Sequence, residues 1–359
     1  IHFPFCRRAC FYCHFYKTAA RPERVEEYLA GLRREMYLRR DPGLAPDSLY
    51  VGGGSPSLLE ASQAEGILET AAKHFGLAAR PEVTLEANPE DLTPARLRGF
   101  RRAGFNRLSI GAQSFQEKDL SYLNRTHDAV QAARAVEMAR AAGFANVSVD
   151  LIIGLPTQTP RSLKENFRVI ASLQPSHVSV YLLEGVPSAR LRPPRGGVPS
   201  AVPRHDDDER DARHYFQARR ELLDLGFEHY EVSNFCRPGK ASRHNLKYWR
   251  MAPYVGLGPS AAGFLDGRDY RNSADLKKFL SALKEGKLPH PGMKALDPFR
   301  RRIITGLRLL EGIAASAFAS FPGETDFLLG EGLLLRRGGN IAVPPGRILL
   351  LNEILGYFI

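Results

Sequence analysis

Apolar and polar positions alternate between two rhythms along this chain. Val25, Tyr28, Leu29, Leu32 and Met36 recur at three- and four-residue spacing and predict an amphipathic helix over Arg24–Arg40. Short apolar runs bounded by turn residues predict strands at Ile1–Phe5, Ser48–Val51, Glu82–Ala87, Arg107–Ile110, Val147–Ile153 and His177–Leu183. Between them the helical rhythm returns over Gln63–His74, from Thr93–Pro94, over Asp128–Ala142, and from Thr159–Pro160 to Leu173. Thr as cap with Pro in the first turn marks two of these starts. Strands joined by helical crossovers run parallel, and a run such as Leu151-Ile152-Ile153 suits a strand covered on both faces. The expected fold is α/β, a partial (β/α)6 TIM-like barrel over residues 1–184.

After Glu184 the rhythm breaks. Residues 185–206 concentrate Pro, Gly and Arg and read as an irregular loop or linker. A helix over Asp207–Leu225, a strand over Phe227–Phe235 and a loop-rich stretch Ser242–Phe264 follow, so that 185–290 completes one side of the barrel. The tail, 291–359, reads as a small α+β domain: helical from Asp297, a strand near Ile341–Val343, a last helix near Arg347–Phe358.

Barrel chemistry gathers at the carboxyl ends of the strands. Cysteines follow the first strand, Gly52–Pro56 the second and Glu86–Asn88 the third. Gln113 and Ser114 follow the fourth, and Asp150 with Gly154–Pro156 belongs to the fifth. Packing alone does not account for that concentration.

Composition changes this picture little. The 359 residues are 43% hydrophobic and 25% charged, as in ordinary globular proteins. The longest apolar run, near Val147–Leu155, is broken by Ser148, Asp150 and Gly154 and falls far short of the roughly 20 residues that span a bilayer. Residues 1–20 carry cysteines and arginines in place of a signal peptide, which points to a reducing cytoplasm. The chain starts at Ile1 without Met, in mid-strand, and reads as lacking part of its amino terminus. Net charge is +11, but pairs such as Arg33–Arg34 and Arg101–Arg102 sit on helical faces, often beside acids. No aromatic-interleaved basic stripe appears, so a nucleic-acid partner is not expected. Anionic partners and a peripheral membrane contact remain compatible with the charge.

Three of the four cysteines, Cys6, Cys10 and Cys13, form a C-x3-C-x2-C run followed by His14 and Phe15. Thiolates bind soft metals, and iron–sulfur clusters usually take four. Three would leave one iron open to a substrate or cofactor. A Cys3His zinc site is the alternative, although zinc motifs pair two ligand hooks and no second hook exists. A chain this long needs no disulfide staples. The Gly52-Gly53-Gly54 run admits close backbone approach, without the ending of a phosphate loop or the spacing of GxGxxG. Glu86, Gln113, Arg125 and Asp150 could ring a nucleoside with an amino-acid tail; ordinary capping is the alternative.

The cysteine spacing, with Tyr12 before the third cysteine, resembles the signature of radical S-adenosylmethionine proteins. His2-Phe3-Pro4-Phe5-Cys6, Tyr50 to Leu58, Glu86-Ala87-Asn88-Pro89, Ser109 to Phe115, Asn124-Arg125 and Asp150 to Pro156 together resemble the oxygen-independent coproporphyrinogen oxidases and their paralogues, the HemW heme chaperones. That resemblance implies a 4Fe–4S cluster on Cys6, Cys10 and Cys13 with S-adenosylmethionine at the open iron. It also implies that Tyr12, Gly53, Gly54, Ser55, Glu86, Gln113, Arg125 and Asp150 hold that nucleotide, with Gln113 and Asp150 on the ribose and Arg125 on the carboxylate. The oxidases carry a further cysteine two residues after the third; Phe15 stands there, as in the HemW branch. His244-Asn245-x-x-Tyr248-Trp249, after Tyr230-Glu231-Val232-Ser233, also resembles that branch. It makes His244 the candidate heme contact, a hydrogen-bonded loop histidine being the alternative. Cys236 is isolated and expected to be structural. The implied function is heme binding and delivery to an acceptor protein, with an electron donor for the cluster; the runner-up is oxidative decarboxylation of coproporphyrinogen III propionates to vinyl groups.

Overall fold

Six strands hydrogen-bond side by side, in chain order and parallel: β1 (His2–Phe3), β2 (Ser48–Gly53), β3 (Glu82–Ala87), β4 (Arg107–Gln113), β5 (Asn146–Ile153) and β6 (His177–Leu182). The computed structural model describes residues 1–183, 208–290, 292–295 and 297–359. The crossovers are helices α1 (Pro22–Leu38), α2 (Ala61–Phe75), α3 (Pro94–Ala103), α4 (Glu117–Tyr122), α5 (Ala129–Ala141) and α6 (Pro160–Leu173). Thr93, Asp128 and Thr159 cap α3, α5 and α6 by accepting from Arg96 N, Gln131 N and Ser162 N. The six-residue α4 is too short to show a helical rhythm in the sequence and was not expected.

The run Leu151-Ile152-Ile153 is buried throughout, so that strand is covered on both faces as expected. The two faces of the sheet differ in character. Val51, Leu85, Leu108, Val149 and Val180 are buried in the core beneath the helices. The alternate positions Tyr50, Glu86, Ser109, Asp150 and Ser179 point the other way, as the two-residue period demands. Register sets Glu86 beside Ser109 and Asp150 beside Ser179. The inside of the partial barrel is therefore polar, and its groups bond to one another, as buried polar groups must.

The junction at Glu184, the stretch 185–206 and Asp207 lie outside the described residues, as does the boundary at Pro291. Helix α7 (Asp208–Asp224) leads to β7 (Glu228–Glu231) and β8 (Asn234–Cys236). This pair replaces the single strand expected over Phe227–Phe235. Ser233 N and the Asn234 side chain donate back to the Glu231 carboxylate, which turns the chain. β8 then pairs antiparallel with β6, and β7 forms the edge.

The stretch after Ser242, expected to be loop, opens with helix α8 (Arg243–Trp249), whose Asn245 N donates to Ser242 Oγ. Farther on, buried Glu35 of α1 accepts from Gly258 N at 2.8 Å, Asn272 Nδ2 at 2.7 Å and Arg39 Nε at 3.0 Å, tying that segment to the barrel. The tail holds a three-stranded sheet of Ile313–Ala314, Asn340–Ala342 and Leu335–Arg337 among short helices. Its Ile303, Leu328, Ile341 and Phe358 join the barrel's continuous apolar core. The last α-helix is only Leu351–Gly356, because Pro345–Leu350 winds more tightly as a 3-10 turn. Among the described residues no helix is long and apolar enough to cross a membrane.

Candidate functional site

A cavity of about 800 Å³ opens at the carboxyl ends of the parallel strands. Its first wall is the cysteine loop. Phe5–Cys6 pairs in parallel with Thr18–Ala19, which pins both ends of the loop. Inside it, Cys13 N donates to Cys10 O at 3.3 Å and Lys17 Nζ to Cys13 O at 2.6 Å. Cys6, Cys10 and Cys13 are free, half-buried and all line this cavity. Burial pushes the Cys6 thiol up, against a hydrogen bond to Ser55. Each thiolate of a cubane takes a different iron, so the sulfurs must face one space without closing on one point. The donor set suits that requirement: three free thiols on one short loop line one cavity.

The glycines serve the strand that delivers the cysteines. Gly53 has φ +114°, and a Cβ there would meet the His2 ring at 2.7 Å. A Cβ on Gly54 would meet Phe5 O at 2.6 Å and Phe3 O at 2.8 Å. Close approach was expected toward a ligand; here it is demanded first by β1. Both glycines still line the cavity, and Ser55 Oγ accepts from Asn88 Nδ2 at 2.9 Å beside them.

Three polar side chains of the expected ring come from the barrel lumen or its rim. Glu86 accepts from Tyr50 OH at 2.7 Å and Gly53 N at 2.8 Å, and burial raises its pKa. Asp150 is raised in the same way by burial, against bonds from Ser109 at 2.9 Å and Ser148 at 3.1 Å. Gln113 ends β4 with φ +65°, a left-handed conformation uncommon for a residue with a side chain. Strain of that kind is tolerated where a side chain must be aimed.

Arg125 is the fourth. It donates to Asn88 Oδ1 at 2.7 Å and lies 3.5 Å from both Cys10 Sγ and Tyr12 OH. Burial opposes its charge, but Tyr12, Cys10 and Glu90 more than offset that and hold its pKa above the ordinary value. Glu90 is itself brought down to about 2: burial works upward, and the bonds from His127 and Thr126 and the charge of Arg125 prevail. His127 bridges Glu90, at 3.0 Å, to Ala112 O, also at 3.0 Å. Asn88, Glu90 and His127 are thus braces for Arg125 that the sequence reading passed over. The available signal was their position, two and four residues after Glu86 and two after Arg125.

Tyr12, Gly53, Gly54, Ser55, Glu86, Gln113, Arg125 and Asp150 line the cavity together with the three cysteines. The cavity does not include His244. That residue lies in α8 at the opposite, amino-terminal end of the strands, with Nδ1 bonded to Ser48 Oγ at 3.0 Å and Nε2 to Tyr248 OH at 2.8 Å. Both ring nitrogens are engaged there, and the expected heme contact stands apart from the cavity that the other candidate residues line. Cys236 is buried in β8, and burial pushes its thiol up to about 11.

Comparison with known proteins follows this geometry. Residues 1–170 match the Radical SAM superfamily. The heme chaperone HemW of Lactococcus lactis is 33% identical over 334 residues, covering 92% of this chain and 86% of that protein. The heme chaperone HemW of Mycobacterium tuberculosis is 34% identical over 367 residues, covering 99% and 93%. Among solved structures, coproporphyrinogen III oxidase of Escherichia coli, described as a radical SAM enzyme, superposes with a TM-score of 0.83 at 24% identity over 99% of this chain and 88% of that one. That likeness shows the fold.

Proposed function

This chain belongs to the HemW heme chaperone family within the radical SAM superfamily, and from that premise we propose that it binds a 4Fe–4S cluster, S-adenosylmethionine and heme, and passes the heme to an acceptor protein. One observation carries the reading: three free thiols share a cavity of about 800 Å³ with Glu86, Gln113, Arg125 and Asp150. Cys6, Cys10 and Cys13 would hold the cluster. When bound, a cluster of three-cysteine ligation supplies an electron and an open iron for S-adenosylmethionine.

The chain's own groups supply the rest. Arg125, kept charged by its neighbours, offers a planar fork to a carboxylate. Glu86 and Asp150, partly satisfied by hydroxyl and amide donors, keep acceptor capacity for ammonium and ribose hydroxyls. Ile152, Leu182, Leu183 and Phe15 give the same cavity an apolar side, and Arg7, Arg8 and Lys17 also line it. That mixture suits a porphyrin with propionates.

Quantifying iron, sulfide and heme in anaerobically purified protein tests the reading directly. About four irons and sulfides per chain, with heme retained, is the expected result. Anaerobic incubation with coproporphyrinogen, S-adenosylmethionine and reductant is the complementary assay. Protoporphyrinogen appearing there would replace the chaperone reading with that of the oxidase; Phe15, in place of a further cysteine, supports the former.

A further inference from the structure

We infer that His244 and Tyr248 are positioning residues for the S-adenosylmethionine site, holding the Tyr50 ring, and through its hydroxyl the Glu86 carboxylate, from beneath the cavity. The inference deepens the reading of the site given above and rests on it.

Helix α8 is fastened to the floor of the barrel. Glu82, the first residue of β3, accepts from Arg243 N at 3.2 Å and His244 N at 3.0 Å. Arg243 Nη2 donates to Asp47 O at 2.7 Å and Arg80 O at 2.8 Å, and Lys247 pairs with Asp47. These anchors lie just before or at the start of β2 and β3, the end away from the cysteines. A helix held this way has little freedom to slide.

From that helix His244 reaches Ser48 and Tyr248 with its two nitrogens, and its ring stacks on Tyr50 with centroids 5.1 Å apart and planes 20° apart. Burial lowers the imidazole pKa to about 3, so the stacked ring is neutral. Tyr50 spends its hydroxyl on Glu86 Oε1, and Glu86 Oε2 takes Gly53 N. Tyr50 and Glu86 line the cavity, while His244 stands behind them. Removing the imidazole leaves Tyr50 an empty face and one fewer constraint on the direction of its hydroxyl.

A second path from the start of the same helix ends on the other lumen carboxylate. Ser242 N donates to Tyr230 OH at 3.3 Å, Tyr230 OH bonds His177 Nε2 at 2.9 Å, and His177 Nδ1 bonds Ser148 Oγ at 2.8 Å. Ser148 Oγ lies 3.1 Å from Asp150 Oδ1. Both carboxylates are thus supported from residues 242–248. The H-N-x-x-Y-W stretch is the plug of the barrel floor, and its chemistry is turned toward the nucleotide site.

The test uses the full chain with its cluster reconstituted anaerobically, titrated separately with S-adenosylmethionine and with heme, alongside iron content and thermal midpoint. His244→Ala should weaken S-adenosylmethionine binding roughly tenfold, as loss of a group that orients a ligand contact does, with iron content and heme binding unchanged. Tyr50→Phe should do the same, and the double variant should be no worse than the weaker single one, because both act along one path. Multiplying losses would overturn the inference. So would a His244→Ala protein that loses heme and keeps its nucleotide affinity. If His244→Ala lowers the thermal midpoint, Tyr248→Phe decides: it removes only the hydroxyl on Nε2, and unchanged nucleotide affinity would reject the idea. Wild-type protein that takes up no S-adenosylmethionine overturns the reading of the site and this inference together; equal affinity in wild type and His244→Ala overturns the inference alone.

Discussion

Gly54→Ala should cost this protein both stability and its cluster. The added Cβ would stand 2.6 Å from Phe5 O, 2.8 Å from Phe3 O and 2.9 Å from Phe5 N. All three are backbone atoms, so no side chain can swing aside. Reaching the 3.4 Å of ordinary contact needs β1 and β2 to part by 0.8 Å at that point. The bonds from Gly54 N to Phe3 O, 2.7 Å, and from Ser55 N to Phe5 O, 2.8 Å, do not survive such a shift. Two backbone bonds are worth about 1 kcal/mol each, and forcing atoms into a filled site costs about 1–3 kcal/mol more. The expected loss is therefore about 3–5 kcal/mol. Because β1 leads straight into Cys6, the cysteine loop should shift with it. Urea unfolding of the cluster-free protein reads the first effect, and iron content after anaerobic reconstitution reads the second. Gly66→Ala is the control: it lies inside α2 with nothing within 4 Å of its Cβ position. It should gain about 0.5–1 kcal/mol, as glycine replaced inside a helix does, and load iron fully. If Gly54→Ala behaves like Gly66→Ala in both assays, the argument about β1 is wrong.

Other substitutions probe other parts of the molecule. Cys10→Ser should leave the reconstituted protein without its iron and sulfide; full retention of iron would remove Cys10 from the ligand set. Arg125→Lys exchanges a planar fork for a point charge and should weaken S-adenosylmethionine binding by about 2 kcal/mol, roughly thirtyfold, with iron content intact in the same sample. Glu231 tests a pH dependence, since burial raises its carboxyl from the ordinary 4.5 to about 7. The folded state then binds its proton more tightly than the unfolded chain, so this contribution to stability is full below about pH 4.5 and lost as pH rises through 7. Glu231→Gln should narrow the gap between urea midpoints at pH 5 and pH 8; an unchanged gap refutes the assignment.

Local information sufficed for the strands and the helical crossovers. Glu82–Ala87 and Pro160–Leu173 lie where the apolar rhythm and the Thr-Pro start place them, because caps and periodicity act over a few residues. The cysteine run and the glycine run were legible for the same reason. Each is contiguous, and each follows a strand whose carboxyl end was predictable. Glu86, Gln113, Arg125 and Asp150 could also be picked out as polar residues at such ends, and the resemblance supplied their roles.

What tertiary structure alone decided was which residues meet across the lumen. Nothing near His244 in the chain announces that its partners are Ser48 and Tyr50, nearly two hundred residues earlier. The brace of Asn88, Glu90 and His127 around Arg125 arises only because register sets β3 against β4. The polar inner faces were legible only in part, as Glu86 and Asp150 among apolar neighbours; only curvature of the sheet gives those faces an inside. Sequence determines how each segment folds on itself. The partner of a buried polar group is set by closure, since hydrogen bonds reach only about 3 Å and cannot be assigned until distant strands have taken their places.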